Sequence, residues 1–368
     1  MRTIKGTYNS AVVFTDEIEA KTEEQLIGLL DQEMVSESKI RIMPDCHAGT
    51  GCIIGTTMTI TDKICPNLVG VDIGCGMLTA RIPASGMDFK KLDDIIRRDI
   101  PSGFCIRSFP IEDPTFHQKA ADVLYPCCGL TEEEKRKGFK SVGTLGGGNH
   151  FIEVDKDEDG RYYIVIHSGS RSQGAQCARH YQDLAEKLHP ELPKDLAYLE
   201  GGLVTAYIRD MHRMQQFASL SREVMLSTIL NGMGWVAMEL FETVHNYISG
   251  EEMILRKGAV SAKEGETLLI PLNMRDGSLI CRGKGNADWN YSAPHGAGRA
   301  LSRGEAKKSC NVQEFKKQMN GIFSTCISEA TLDESPMAYK SAESIIHNIG
   351  DTVEIVKRIR PVYNFKAK

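Results

Sequence analysis

No stretch of this 368-residue sequence approaches the roughly 18 consecutive apolar residues that a membrane-crossing helix requires. No membrane helix is therefore expected. Neither sign of charge dominates: 44 Lys and Arg stand against 49 Asp and Glu, a formal net charge of −5. That balance excludes a chain coated in positive charge for non-specific nucleic-acid binding, while allowing a local basic groove. No CxxC pair occurs, and the number of cysteines, 11, is odd. A disulfide framework fits a chain of this size poorly, so most thiols are expected to be reduced and buried. There is no internal repeat and no Pro/Ser-rich linker. The opening MRTIKGTYNSAVVFTDE has only a short apolar stretch before acidic residues begin, unlike a secretory leader, and a cytoplasmic protein is the expectation.

What is present has the balance of a folded globular chain, 41% hydrophobic and 25% charged. Residues 20–36 read as an amphipathic helix, with Leu26, Leu29, Leu30 and Met34 on one face. Short strands separated by tight turns follow over 38–82. A helix is predicted over 88–99, a solvated helix or loop over 130–140 and a strand over 161–166. Helices come next over 173–188 and 200–248, the second breaking near Gly232 and Gly234. Strand patterns return from 252, and the tail 352–359 alternates like a strand. This order predicts one α+β domain over 1–368, with mixed β-sheets and a helical insertion.

Ten histidines are present, and five lie in unusual settings: Asp45-Cys-His47, Asn149-His150, His167-Ser-Gly-Ser-Arg171, His245-Asn246 and His295-Gly-Ala-Gly-Arg299. A packed structural histidine normally has bulky apolar neighbours; several of these have glycines, which let a ligand approach the backbone. Five such sites point to a shared centre. In Gly70-Val-Asp72-Ile-Gly-Cys75-Gly, an acid and a thiol three apart lie among glycines that disfavour helix. Carboxylate, thiolate and imidazole together suit Mn, Fe, Co or Zn better than Mg or Ca. The glycines of Gly143-Thr-Leu-Gly-Gly-Gly-Asn149 expose backbone amides that can cradle phosphate, although the run is neither a P-loop nor GxGxxG. Arg171, Arg299 and Arg303 follow serine or glycine in expected turns, where each can grip a phosphate or simply cap a carbonyl or pair with an acid.

Taken together these segments resemble the RtcB family of RNA ligases. The resemblance is carried by MPDCHAGTGCIIG (43–55), VGVDIGCGM (69–77), GTLGGGNHFIEV (143–154), HSGSR (167–171), VHNY (244–247), RKGA (256–259), PHGAGRALSR (294–303) and DESPMAYK (333–340). It implies a single α+β domain particular to that family, two Mn²⁺ ions, and GTP as cofactor. Asp72, Cys75, His150, His167 and His245 would be the metal ligands, Cys75 the bridge between the ions. His295 would be the nucleophile that becomes guanylylated, oriented by Asp45. The guanylate pocket would draw on Asn149, His150, Phe151, Glu153, Asn246, Met274, Ser278, Gly296, Ala297, Gly298 and Lys366. Arg171 and Arg303 match positions expected to hold RNA phosphates. The implied reaction joins an RNA 3′-phosphate or 2′,3′-cyclic phosphate to a 5′-hydroxyl end, in RNA repair or tRNA splicing, and an archease-like activator is a conceivable partner. The segment Pro271-Leu-Asn-Met-Arg-Asp-Gly277 departs from the family's PGSMG, and Ser221 stands where an Asn-Arg pair is common. These departures suggest a paralogue specialised for repair. The competing expectations are a metal-dependent phosphodiesterase or phosphatase without ligation, and an RNA-binding scaffold without chemistry.

Overall fold

A computed structural model describes residues 1–49 and 51–367. Thr50, inside the motif at 43–55, and Lys368, at the end of the expected domain, lie outside the described residues. Two large sheets carry the architecture. In the first, six strands run in the order Arg2–Lys5, Ser10–Val13, Ile40–His47, Ile54–Thr59, Ile254–Lys257 and Asn246–Ile248. Ser10–Val13 pairs in parallel with Ile40–His47, and the other neighbours are antiparallel. The second has seven antiparallel strands, ordered Glu239–Val244, Gly76–Ile82, Tyr162–Ser168, Phe151–Lys156, Val353–Lys366, Gly277–Gly283 and Thr267–Asn273. The α+β class expected from the element order is what the chain adopts. Among the described residues no helix is long and apolar enough to cross a membrane.

The helical insertion lies between the strands Tyr162–Ser168 and Glu239–Val244. It contains the helices Arg171–Leu188 and Gly202–Met233. The second has 32 residues. It joins two hydrophobic clusters: Met211, Met214 and Phe217 pack with Leu26, Leu29 and Ile42 under the six-stranded sheet. Met225 and Ile229 pack with Ile95, Ile152 and Ile164 on the seven-stranded one. A third cluster, including Val260, Leu268, Ile270, Leu272 and Ile345, fills the C-terminal part.

Local signals explain where helices begin. Asp88 caps Phe89–Asp99 by accepting from the Lys91 amide. Thr131 does the same for Glu132–Ser141, whose first turn is acidic, as the helix dipole favours. That segment is a helix rather than a loop. Two expectations need correction. The first helix ends at Leu30, and a 3₁₀ turn covers Glu33–Val35, because Gln32 between them is extended. The helical segment expected over 200–248 breaks at Met233, near Gly232 and Gly234 as expected, with Gly234 in the left-handed region as its cap, but no helix resumes after it. Residues Glu239–Val244 and Asn246–Ile248 are instead strands, each satisfied by a partner strand: Gly76–Ile82 for one and Ile254–Lys257 for the other. Cross-strand pairing outweighs the local periodicity there. The tail strand also runs further than expected, over Val353–Lys366.

Candidate metal and nucleotide site

The sheet register assembles the first half of the site. Asp72 and Cys75 lie in the turn that leads into Gly76–Ile82, and the Cys75 amide donates to the Asp72 carbonyl at 3.2 Å. Met77 and Phe151 both pair with His167, so the turn, His150 and His167 meet at one end of three adjacent strands. His245 joins them because its amide donates to the Cys75 carbonyl at 2.9 Å. Cys75 Sγ is 3.2 Å from His167 Nε2 and 3.5 Å from His150 Nε2. His150 Nε2 is also 3.1 Å from Asp72 Oδ2. The His245 ring centroid is 5.2 Å from that of His167. All five expected metal ligands are therefore neighbours, and Cys75, His150 and His167 offer ligand atoms within 4.8 Å of one another.

The electrostatics suit a cation. Burial holds the His167 and His245 imidazoles well below their usual range, so both are neutral. The Asn149 carbonyl accepts from His167 Nδ1 at 3.1 Å, which leaves the Nε2 lone pair facing Cys75. Burial raises the Cys75 thiol, and the neighbouring Asp72 raises it further. Burial would raise Asp72 as well, but its hydrogen bond and charge interaction with His150 hold it at about 2. Among the described residues the buried His245 Nδ1 has no partner. An unpartnered imidazole nitrogen beside a thiol, a carboxylate and two more imidazoles is a donor set that fits a transition metal.

Gly169 has a steric role here, since a side chain at that position would overlap the Asp72 carboxylate. Gly169→Ala is therefore expected to displace Asp72 and, if the cluster holds a divalent transition metal such as Mn²⁺, to weaken its binding roughly 10–100-fold. Isothermal titration with Mn²⁺ reads this directly, and unchanged affinity would remove Asp72 from the ligand set.

The second half of the site is a cavity of about 770 Å³ beside this cluster. His295, just beyond the strand Ser292–Pro294, faces it. Its Nδ1 lies 2.6 Å from Oδ2 of Asp45, which is fully buried in Ile40–His47. A carboxylate accepts, so Nδ1 carries a proton, and in the neutral imidazole the lone pair is then on Nε2. The His295 and His245 ring centroids are 5.1 Å apart, which joins the two halves. Asn149, Phe151, Glu153, Met274, Gly296, Ala297, Gly298 and Lys366 all line the cavity, as expected of pocket residues. Lys366 Nζ donates to the Asn149 carbonyl at 3.0 Å, pairs with Glu334 at 2.7 Å and lies 5.3 Å above the Phe151 ring. Burial pushes Glu153 up to about 7, although the Asn364 side chain donates to it. Burial raises Asp155 too, so this carboxyl pair retains a proton near neutral pH.

Three expected pocket residues are placed differently. His150 sits beside Cys75 and Asp72 and is not among the residues lining the cavity. The Asn246 side chain ties the backbone together, donating to the Asp72 carbonyl at 3.2 Å and accepting from the Gly258 amide at 3.0 Å. Ser278 is fully buried in Gly277–Gly283, outside the cavity lining. In the altered segment, the Asn273 side chain accepts from the Arg275 and Asp276 amides at 3.0 and 2.9 Å and so shapes the hairpin turn.

The expected phosphate-binding arginines begin helices rather than occupying turns. Arg171 starts Arg171–Leu188 with φ 57. Its Nε donates to Thr144 at 3.0 Å and its Nη2 to the Gly103 carbonyl at 2.7 Å, so both partners are uncharged. Arg303 starts Arg303–Ser309, and its Nη1 pairs with Asp333 at 2.7 Å and Glu334 at 2.6 Å. Arg299 donates to the carbonyls of Leu301 and Asp333 and pairs with Glu334, which makes it a structural clamp.

Comparison with known proteins decides the family. The sequence pattern described as "tRNA-splicing ligase RtcB" matches residues 32–126 and 126–367. The chain belongs to the RtcB family. It is 34% identical to the "RNA-splicing ligase RtcB" of Escherichia coli K12, with 95% of each chain covered. To the "tRNA-splicing ligase RtcB" of Aeropyrum pernix it is 27% identical, covering 87% of this chain and 86% of that one.

Sequence reasoning missed one residue of this RtcB-family site altogether. Arg222, on Gly202–Met233, is fully buried behind the metal cluster. It pairs with Glu242 at 2.7 Å and donates to the carbonyls of Gly74 and Ser168, so it braces both the Asp72–Cys75 turn and the strand bearing His167. Its neighbour Ser221 accepts from the Gly143 amide at 3.0 Å, anchoring the glycine-rich loop. A helical arginine carries no local mark of such a role; the glycines at 74 and 169 are the nearest sequence signal.

Proposed function

We propose that this protein is a GTP-dependent RNA ligase that joins RNA 3′-phosphate or 2′,3′-cyclic phosphate ends to 5′-hydroxyl ends. The observation that carries this reading is His295, held through Nδ1 by a buried carboxylate, with its other nitrogen available at a nucleotide-sized cavity beside the metal cluster. The names of the relatives, RNA-splicing and tRNA-splicing ligases, support the same reaction class.

In the first step the His295 Nε2 lone pair attacks the α-phosphorus of GTP. An N–P bond forms, the P–O bond to the β-phosphate breaks, and its electron pair leaves with pyrophosphate. Asp45 stabilises the positive charge that develops on the ring and keeps the tautomer fixed. A cyclic phosphate end is first opened by water to a 3′-phosphate. An oxygen of that 3′-phosphate then attacks the guanylate phosphorus, and the N–P electron pair returns to His295. The 5′-hydroxyl finally attacks the activated 3′-phosphate, releasing GMP as the phosphodiester forms. Asp72, Cys75, His150, His167 and His245 would hold Mn²⁺, which supplies charge neutralisation at the phosphates. Lys366 adds a fixed cation at the Phe151 wall of the cavity, and Glu153 a hydrogen-bonding carboxyl.

Incubation with α-labelled GTP and Mn²⁺ tests the reading: an acid-labile label on the protein is expected. Absence of label with persistent cleavage of cyclic phosphate ends would favour a metal-dependent phosphodiesterase instead. Asp45→Asn gives a finer test. Its amide can donate to Nδ1 and so favour the tautomer with a protonated Nε2, which cannot attack. Self-guanylylation is expected to fall on the order of 10²–10⁴-fold in a stopped assay, with Mn²⁺ binding retained.

A further inference from the structure

The segment Gly103-Phe-Cys-Ile-Arg-Ser-Phe109 departs from the normal distribution of apolar residues. Phe104 is 105% exposed, and Ile106 and Phe109 are also exposed. The backbone that carries Phe104 is nevertheless well anchored. The Gly103 amide donates to the Gly146 carbonyl at 2.8 Å, and the Gly103 carbonyl accepts from Arg171 at 2.7 Å. Arg107 donates to the Val142 and Gly143 carbonyls at 3.1 and 3.0 Å. The loop therefore presents an aromatic ring to solvent from a fixed base, which limits the conformational entropy that binding must remove.

Phe104 stands at a second cavity, of about 550 Å³, whose wall also contains Gly147, Gly148, Arg171 and Lys307. Arg171 lies close to the Asp72–Cys75–His150 cluster: a side chain added at Gly146 would overlap Arg171 and crowd the ring of His150. The two acids in the wall have cationic partners: Asp333 pairs with Arg303 and Lys307, and Glu334 with Arg303 and Lys366. Arg171, by contrast, is bonded only to the uncharged groups already named, among the contacts described. An anchored, exposed aromatic ring and a guanidinium whose hydrogen-bond partners are uncharged, with Asp72 the charge near it, thus line one cavity. An aromatic face with a neighbouring cation is the chemistry that holds a base and its phosphate in single-stranded nucleic acid.

We propose that the second cavity receives an RNA strand, with Phe104 stacking on a nucleobase and Arg171 holding an adjacent phosphate. This rests on the RNA-ligase reading and adds to it the residue that grips the base. Stacking on any base is sequence-tolerant, so the platform would accept varied RNA ends.

The test measures affinity for fluorescein-labelled single-stranded RNA by anisotropy, using one strand with a 3′-phosphate and one with a 5′-hydroxyl. The same preparations are assayed for self-guanylylation and sealing. Phe104→Ala is expected to weaken binding of at least one strand by roughly 5- to 100-fold, with the guanylylation rate unchanged. Phe104→Tyr should restore affinity, whereas Phe104→Leu should not. Equal affinity in all variants overturns the proposal. Recovery by leucine equal to that by tyrosine also overturns it, and indicates an apolar contact such as a protein partner. Failure of the wild-type protein to seal RNA, with the dependence on Phe104 intact, would sink the ligase reading and leave the platform standing. Failure of the wild-type protein to bind either strand overturns both. Because Phe104 is fully exposed, its replacement removes little packing, and matched thermal melts verify that each variant is folded.

Discussion

His295→Ala is expected to abolish self-guanylylation, by roughly 10⁴-fold or more, because no other group replaces an oriented nucleophile. Sealing of ordinary ends should disappear with it. RNA already carrying a 3′-guanylylated end should still be sealed, since that substrate enters after the histidine has acted. Mn²⁺ binding should persist, because His295 is not among the proposed ligands. The substitution also has a structural cost. Asp45 is fully buried, its Oδ1 has no partner among the described residues, and its Oδ2 is bonded to His295. Loss of the imidazole strands that carboxylate, at a cost of about 3–5 kcal/mol. Asp45→Asn combined with His295→Ala replaces the charge by a neutral amide and should recover part of the lost stability without recovering guanylylation. Thermal melts and mass spectrometry after GTP treatment separate the two effects. A GMP adduct on any residue other than His295 in the wild-type protein would overturn the assignment.

Cys75→Ala is expected to have the second largest effect. Cys75 Sγ lies within 3.5 Å of both His150 Nε2 and His167 Nε2, and its carbonyl positions His245. Alanine leaves the backbone hydrogen bond in place and removes the sulfur that would bind the metal. Mn²⁺ affinity should fall by roughly 100-fold or more, and ligation with it. The fold should survive, because deleting one buried sulfur from a packed site costs on the order of 1 kcal/mol. Metal content by plasma mass spectrometry, together with a melt of the metal-free protein, distinguishes ligand loss from unfolding. A folded variant with full Mn²⁺ occupancy and normal ligation would remove Cys75 from the site.

Segments whose character is set by neighbours along the chain are legible in the sequence. The helix over 88–99 begins where Asp88 caps it, and the strand expected over 161–166 occurs as Tyr162–Ser168. Glycines beside the histidines at 150, 167 and 295 are a local signal that these lie where the backbone can be approached closely, whereas His245 has no glycine nearby. The helix expected to resume after the break near Gly232 and Gly234 shows the limit. Part of that stretch pairs with Gly76–Ile82, far earlier in the chain, and nothing local specifies that partner.

The sequence by itself determined the α+β class, the family resemblance and the residue types able to hold a metal and form a covalent guanylate. These depend on composition, local pattern and motif, all of which are written in one dimension. Only the tertiary structure decided which groups touch. It placed Asp45 against His295, 250 positions away, and His245 against Cys75. It tied the Asn246 side chain to the Asp72 carbonyl and the Gly258 amide, and paired Arg303 with Asp333 and Glu334. It also gave Arg222 its buried post behind the cluster and left Phe104 exposed on an anchored loop. The physical reason is the same in each case. Burial and hydrogen bonding depend on distances across the folded chain, and the energetic role of a side chain is set by the solvent and partners that surround it there.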